Sequence, residues 1–278
     1  SRVTVALSGD DGDEMFGGYN RYIWGPRLWR YIAWLPIAVR RKIASSMKCL
    51  PPDFLLCKLQ SLGIPHMGEK VQKIINLLGN ANSLDDLYLS LIRTDKTIHN
   101  LKLGVEQSHG IDFLTRVFNP AIGLEEASAR MMYLDTLTYL PDDILCKVDR
   151  AAMATSLETR VPFLDHRVAE LAWQLPLSLK IRGNEGKWAL RQVLYKYVPR
   201  ELIERPKAGF GIPVGQWIRG PLRSWAESLL DEKRLAAEGY FHPAPIRQRW
   251  AEHVSGHRDH TPGLWAVLMF QAWLEANS

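Results

Sequence analysis

The 278 residues predict an α/β protein in which helices greatly outnumber strands. Three observations carry this expectation. Residues 3–7, "VTVAL", are small or β-branched and uncharged, as suits a strand buried on both faces of a parallel sheet. Directly behind them, "SGDDGDE" supplies the glycines and acids of a turn into a helix. From Glu14 onward apolar residues recur at spacings of three and four, the helical period, and proline or glycine marks the joints.

The strand at 3–7 is the clearest in the chain. Helical periodicity follows over 70–78, 84–92, 125–140, 142–157, 165–174, 187–197, 221–235 and 262–276, with joints at Pro36, Pro51, Pro52, Pro141, Pro162, Pro176, Pro199, Pro206 and Pro213. Between 21 and 50 stand Arg21, Arg27, Arg30, Arg40, Arg41, Lys42 and Lys48 without one acid, enough to account for the net charge of +5. Interleaved with Trp24, Trp29 and Trp34, this stretch either meets phosphate backbones or an anionic membrane, or, the preferred reading, forms two helices with aromatics turned to the core and cations to water. A lone parallel strand needs neighbours for its backbone groups. With the first methionine only at Met15, the chain is expected to be the C-terminal part of a longer protein. On that reading residues 1–24 hold the last buried strand, the acidic turn and a helix start, and 25–278 a helical region.

Several classes are excluded. The apolar runs fall short of the roughly 18 residues a membrane-spanning helix needs. Cys49, Cys57 and Cys146 are odd in number and lack metal-ligand spacing, which fits a reducing, cytoplasmic setting. His253, His257 and His260 have spacings that permit a metal face on a helix, but Gly256 and polar neighbours point to a surface loop.

The acidic turn is the most informative segment. In open parallel sheets ligands sit beyond the carboxyl ends of the strands, and Ser8 to Glu14 lies there. Ser8, Gly9 and the amides that follow can meet a phosphate or ribose oxygen. The acids Asp10, Asp11, Asp13 and Glu14 would repel a bare polyphosphate, a conflict that a divalent cation between them removes. A calcium hand is excluded, because its sixth and twelfth positions fall on Met15 and Arg21, or on Phe16 and Tyr22. The structural alternative is a helix start whose acids complement the dipole.

Basic groups that could face this turn lie far along the chain. Lys147 is either an exposed partner of Asp143 one helical turn earlier or a ligand of the nucleotide; Arg160 is read as an anchor for its loop. "GNEGKWALRQVL" (183–194) reads as a cap at Asn184 and a helix whose first turn carries Lys187, a cation that opposes the helix dipole unless an anion is held there. Arg191, one turn on, either shares that load or is solvated. The loop around Lys207 either closes over the site or is an irregular connection resting on Phe210 and Trp217.

"ALSGDDGDEMFGGYNRY" (6–22) resembles the second nucleotide-site motif of the glutamine-dependent asparagine synthetase family, in its C-terminal synthetase domain. That family's usual wording has glycine where this chain has Asp11. The segments "YLPDDILCKVDRAAMATSLETRVPFLDHRVAELA" (139–172), "GNEGKWALRQVL" (183–194) and "RPKAGFGIPVGQWI" (205–218) agree in order and spacing. The resemblance implies a parent domain built like the adenine nucleotide α-hydrolases, with helices around a parallel sheet. It further implies ATP and Mg2+ as cofactors, and a reaction in which a carboxylate, aspartate or another acid, is activated as an acyl adenylate and then attacked by glutamine-derived ammonia. In these terms Asp10 and Lys187 are catalytic, Ser8, Gly9, Asp13 and Lys147 bind the nucleotide, and Asp13 holds the metal. A phosphate loop of the form SGG-x-D-S and a glutaminase domain are expected upstream, so the isolated chain is expected to be inactive or nearly so. Two alternatives are a related ligase that closes an intramolecular amide and a non-enzymatic basic helical module binding nucleic acid or membrane; nucleic acid is not the expected partner.

Overall fold

The computed structural model describes residues 3–49, 75, 77–92, 101, 123–204 and 211–277. The chain divides into two compact units, the first comprising residues 1–92 and 117–205, the second 93–116 and 206–278. Most described residues are helical.

In the first unit, β1 (Val5–Leu7) pairs in parallel with β2 (Glu158–Arg160), Ala6 opposite Thr159. The expected burial on both faces is not found: Val5 is 37% and Leu7 76% exposed. Two strands of three residues give each other only a hydrogen-bonded edge, and among the described residues no layer covers the apolar side chains. Nor is β1 the last strand, since β2 follows it. "ETR" escapes sequence reading because three mixed residues show no period.

The turn after β1 feeds α1 (Gly12–Phe16), and α2 (Asn20–Ile32) and α3 (Ile37–Cys49) follow. The last two are the expected basic helices, but their polarity is partly reversed. Trp24 and Trp34 are 60% and 74% exposed, while Arg40 is buried and donates to the carbonyls of Leu35 and Ala81. Guanidinium groups that satisfy carbonyls at the ends of neighbouring segments can be buried; periodicity does not report such partners.

Helix α2 crosses α4 (Leu84–Ile92) and α5 (Ala127–Leu137) around a core of Tyr22, Ile32, Leu87, Tyr88, Met131 and Met132. Gly25 permits the approach: a Cβ there would lie 3.0 Å from Met131 Cε. Pro26, one residue on, has no N–H to give to the carbonyl of Tyr22, and the buried Ser128 hydroxyl donates to that oxygen instead at 2.7 Å. In the same core the carboxylate of Asp135 accepts from Arg21 Nε (2.8 Å), Tyr22 OH (2.5 Å) and Tyr88 OH (2.6 Å).

The periodic stretches at 125–140 and 142–157 are not two plain helices. Pro141 cannot donate to Leu137, and the chain widens into a π-helix (Leu140–Leu145) before α6 (Cys146–Met153). After β2, Asp165 caps α7 (His166–Gln174) by accepting from Arg167 N. Then α8 (Leu177–Lys180) leads into a hairpin of β3 (Ile181–Arg182) and β4 (Glu185–Gly186), followed by α9 (Trp188–Leu194) and α10 (Arg200–Ile203). Asn184 is therefore not a helix cap but part of the hairpin turn, where its side chain accepts from Arg27. Buried Lys180 lies 4.7 Å from the Trp173 ring centre, and desolvation brings its pKa down to about 8.

The second unit packs α11 (Val214–Arg219), α12 (Arg223–Leu229), α13 (Glu232–Glu238), α14 (Pro243–Val254) and α15 (Thr261–Asn277) around Ile218, Leu230, Ile246, Trp250, Leu264 and Leu268. The stretch read as one helix over 221–235 breaks where Asp231 caps α13 by accepting from Arg234 N. His253 is not on a surface loop but fully buried. Its Nδ1 accepts from His260 N, leaving Nε2 to donate to the Gly215 carbonyl at 3.3 Å. Burial, and then the Arg219 guanidinium beside it, lower the pKa of the ring. Among the described residues, no group of three histidine, cysteine or acidic side chains could hold a metal, and no helix is long and apolar enough to cross a membrane. Part of 70–78, and Cys57, Lys207 and Phe210, lie outside the described residues.

Candidate active site

The site begins where β1 ends. Ser8 N donates to the Arg160 carbonyl (2.8 Å), and the Ser8 hydroxyl donates to Asp10 Oδ2 (2.5 Å), drawing the chain into a turn. Gly9 is exposed, with open space where a Cβ would be. Asp11 then adopts a left-handed conformation, φ 66°, before α1 starts at Gly12. This conformation costs a non-glycine residue free energy, and the family wording noted above places glycine at this point.

The four acids of the turn do not share one environment. Asp11 is 1% exposed and neither of its carboxylate oxygens has a hydrogen-bond partner among the described residues; burial, reinforced by nearby Glu14, pushes its pKa up to about 7. Glu14 is also buried and raised chiefly by desolvation, but it accepts a hydrogen bond from Tyr19 OH at 2.7 Å. Tyr19 in turn carries the Arg21 guanidinium 4.2 Å above its ring, so the back of the turn is tied to the Asp135 network. Asp10 and Asp13 remain partly open to solvent.

Asp13 faces the hairpin that ends in Lys187. The ammonium Nζ lies 2.9 Å from Asp13 Oδ2, with both side chains about one third exposed. Backbone geometry holds the lysine there. Lys187 is itself left-handed, φ 56°, and its N–H donates to the carbonyl of Phe16 at the end of α1 (2.9 Å). Two positive-φ residues other than glycine at one junction mark it as strained, as functional sites often are. Glycines make the approach possible: a Cβ on Gly18 would overlap Asp13 Oδ1 and Lys187 Cε, and one on Gly186 would strike the carbonyl of Gly17. A Cβ on Gly12 would lie 3.6 Å from Lys187 Nζ. Phe163, in the 3-10 turn after β2, packs edge-on against Phe16 of α1.

The structure thus brings Asp13 and Lys187 together, and Ser8 with Asp10. It does not bring in Lys147, which is exposed on α6 with no ion pair to Asp143 or to the Asp13–Lys187 pair among the described residues. Arg160 pairs with Glu158 (2.6 Å), and Arg191 is held by the Gly186 carbonyl (3.1 Å) and Glu185. Sequence reasoning missed the cradle formed by Gly17, Gly18 and Gly186, although the doubled glycine of "FGGY" was its visible sign.

A strand that turns through glycines and acids into a short helix, faced by a lysine from a distant segment, puts a carboxylate and an ammonium beyond the carboxyl end of a parallel strand, where ligands sit in open parallel sheets. Residues 1–275 match the family described as asparagine synthase, and the chain belongs to that family. It is 34% identical over 276 residues to a putative asparagine synthetase [glutamine-hydrolyzing] of Mycobacterium tuberculosis, covering 98% of this chain and 39% of that protein. It is 28% identical to asparagine synthetase [glutamine-hydrolyzing] 1 of Bacillus subtilis, covering 99% and 41%. With the human asparagine synthetase [glutamine-hydrolyzing] it shares 26% identity, over 77% of this chain and 44% of that protein. The chain thus spans about two fifths of the length of these curated relatives. No solved structure matches it.

Proposed function

We propose that this chain carries the amide-forming site of a glutamine-dependent asparagine synthetase. A substrate carboxylate oxygen, from aspartate or another acid, attacks the α-phosphorus of ATP; the bond to the β-phosphate oxygen breaks and pyrophosphate leaves. Ammonia then attacks the acyl carbon, the bond to AMP breaks, and the nitrogen loses a proton to give the amide. The relatives' names support glutamine as the nitrogen source, through a glutaminase domain upstream.

The single observation that carries the reading is the 2.9 Å contact between Asp13 and Lys187 beyond the end of a parallel strand. Here Lys187 neutralises charge shed onto phosphate oxygens, while Ser8 and Gly9 meet the nucleotide and Asp10 lies at the acyl adenylate. Lys147 has the least support, because nothing described places it at the pair. The residues fit a magnesium ion of the kind held by one or two carboxylates and substrate phosphates: Asp13 is open to solvent, and the described residues provide no closed protein cage. When bound at Asp13, that ion would stabilise the pyrophosphate as it leaves. The parallel β1–β2 pairing supports an adenine nucleotide α-hydrolase type of sheet, and the free thiol of Cys146 suits a cytoplasmic setting.

The test uses the full-length protein supplied with ammonia, so that glutamine hydrolysis is bypassed. Lys187→Gln and Asp13→Asn are expected to lower the rate of AMP and pyrophosphate release by about 10²–10³-fold. Wild-type turnover in either variant overturns the proposal.

A further inference from the structure

We infer that Lys187 also controls when the metal can bind: its ammonium occupies the Asp13 carboxylate until a polyphosphate draws it away, so the divalent ion enters with the nucleotide rather than before it. This rests on the function proposed above. The ammonium lies 2.9 Å from Asp13 Oδ2, where an incoming cation would compete with a positive charge already in place.

Asp11 and Glu14 are buried, Glu14 held by Tyr19 OH, and Asp10, partly open, has one oxygen engaged by the Ser8 hydroxyl. A divalent ion arriving alone at Asp13 therefore meets a carboxylate already paired with an ammonium. Magnesium loses its water reluctantly, and one paired carboxylate is a poor exchange for it. A triphosphate changes the balance from both sides, by offering the ammonium a second anion and the metal further oxygens.

The geometry limits how the lysine can respond. Its backbone is pinned through the N–H bond to Phe16 and the left-handed φ, so only side-chain torsions can move Nζ. Gly18 gives the side chain space beside it, since a Cβ there would overlap Lys187 Cε. Because coupling free energies are reciprocal, metal and nucleotide must then strengthen each other's binding, and removing the lysine's charge must weaken this mutual effect.

The experiment measures Mn2+ binding to the full-length protein from the loss of the free-ion paramagnetic signal, with Mn2+ alone and with ATP. In the absence of ATP, Lys187→Gln and Lys187→Met are expected to bind Mn2+ about ten-fold more tightly than wild type, within the usual range of such couplings. Lys187→Arg, which keeps the charge, should stay at the wild-type value, and adding Asp13→Asn to Lys187→Gln should abolish the gain. Circular dichroism identifies any variant that has not folded, and two neutral replacements guard against losing one. If both folded neutral variants bind Mn2+ alone no better than wild type, while ATP still promotes Mn2+ binding that Asp13→Asn removes, the gating role is wrong and the functional reading survives. If ATP promotes no Asp13-dependent Mn2+ binding, the functional reading fails and the gating role with it.

Discussion

Asp11 shows how one residue can work against the stability of the fold that contains it. A left-handed backbone and a buried carboxylate without a partner each cost free energy, and both are found there among the described residues. Asp11→Gly is expected to raise unfolding stability by about 1–3 kcal/mol, read from the shift of a urea midpoint at unchanged slope. A lower midpoint would show that the carboxylate has a partner outside the described residues. Gly18 is the opposite case, neutral in appearance and intolerant in practice. Gly18→Ala should separate Asp13 from Lys187 and reduce amide formation as far as Lys187→Gln does, about 10²-fold or more. The motif made Asp13 and Lys187 legible through resemblance, although the chain carries them on distant segments. Burial of Asp11 and Glu14, against exposure of Asp13, was not legible: four adjacent acids look alike until a backbone turn points them in different directions.

Among the elements, α2 shows a defect repaired from outside. Pro26 leaves the Tyr22 carbonyl without its helical donor, and Ser128 of α5 supplies one. Ser128→Ala should cost about 1–3 kcal/mol by stranding that oxygen in the core. In a Pro26→Ala background the cost should shrink, because the substituted alanine regains an N–H for the same carbonyl; an unchanged cost in this double-mutant cycle would refute the account. Lys180, at the end of α8, gives a pH signature. Its folded pKa, about 8, lies below the ordinary lysine value, so the unfolded chain holds more protons between roughly pH 8 and 10 and stability should rise with pH there. Lys180→Met should flatten that rise in melting temperatures, and an unaltered slope would assign it to other groups. Helices such as α4, α7 and α15 were readable from their period. The β3–β4 hairpin was not, because two-residue strands carry no pattern. Nor was the outward turn of Trp24 and Trp34, since period fixes spacing but not which side has a partner.

For the molecule as a whole, division into two units means that stability need not be lost in one step. The second unit depends on neutral His253, with Arg219, Asp259, His260 and the Gly215 carbonyl around its ring. A folded pKa below the ordinary 6.5 means that this contribution is complete above about pH 6.5 and is lost as the pH falls through the depressed value. Amide exchange in α14 and α15 should therefore accelerate between pH 7 and pH 5 beyond the intrinsic change, and His253→Gln should remove the excess. Equal protection at both values would show that the ring does not titrate in that window.

The close nesting of Gly17, Gly18 and Gly186 has a consequence for inheritance. Single-codon changes at these positions should be purged as severely as changes at Lys187, although glycine contributes no reactive atom. A saturation mutagenesis survey scored by the amide formation proposed above would show depleted columns in two separate stretches of the gene, joined only by the folded backbone. The variation such a lineage tolerates is set there by the width of a methyl group.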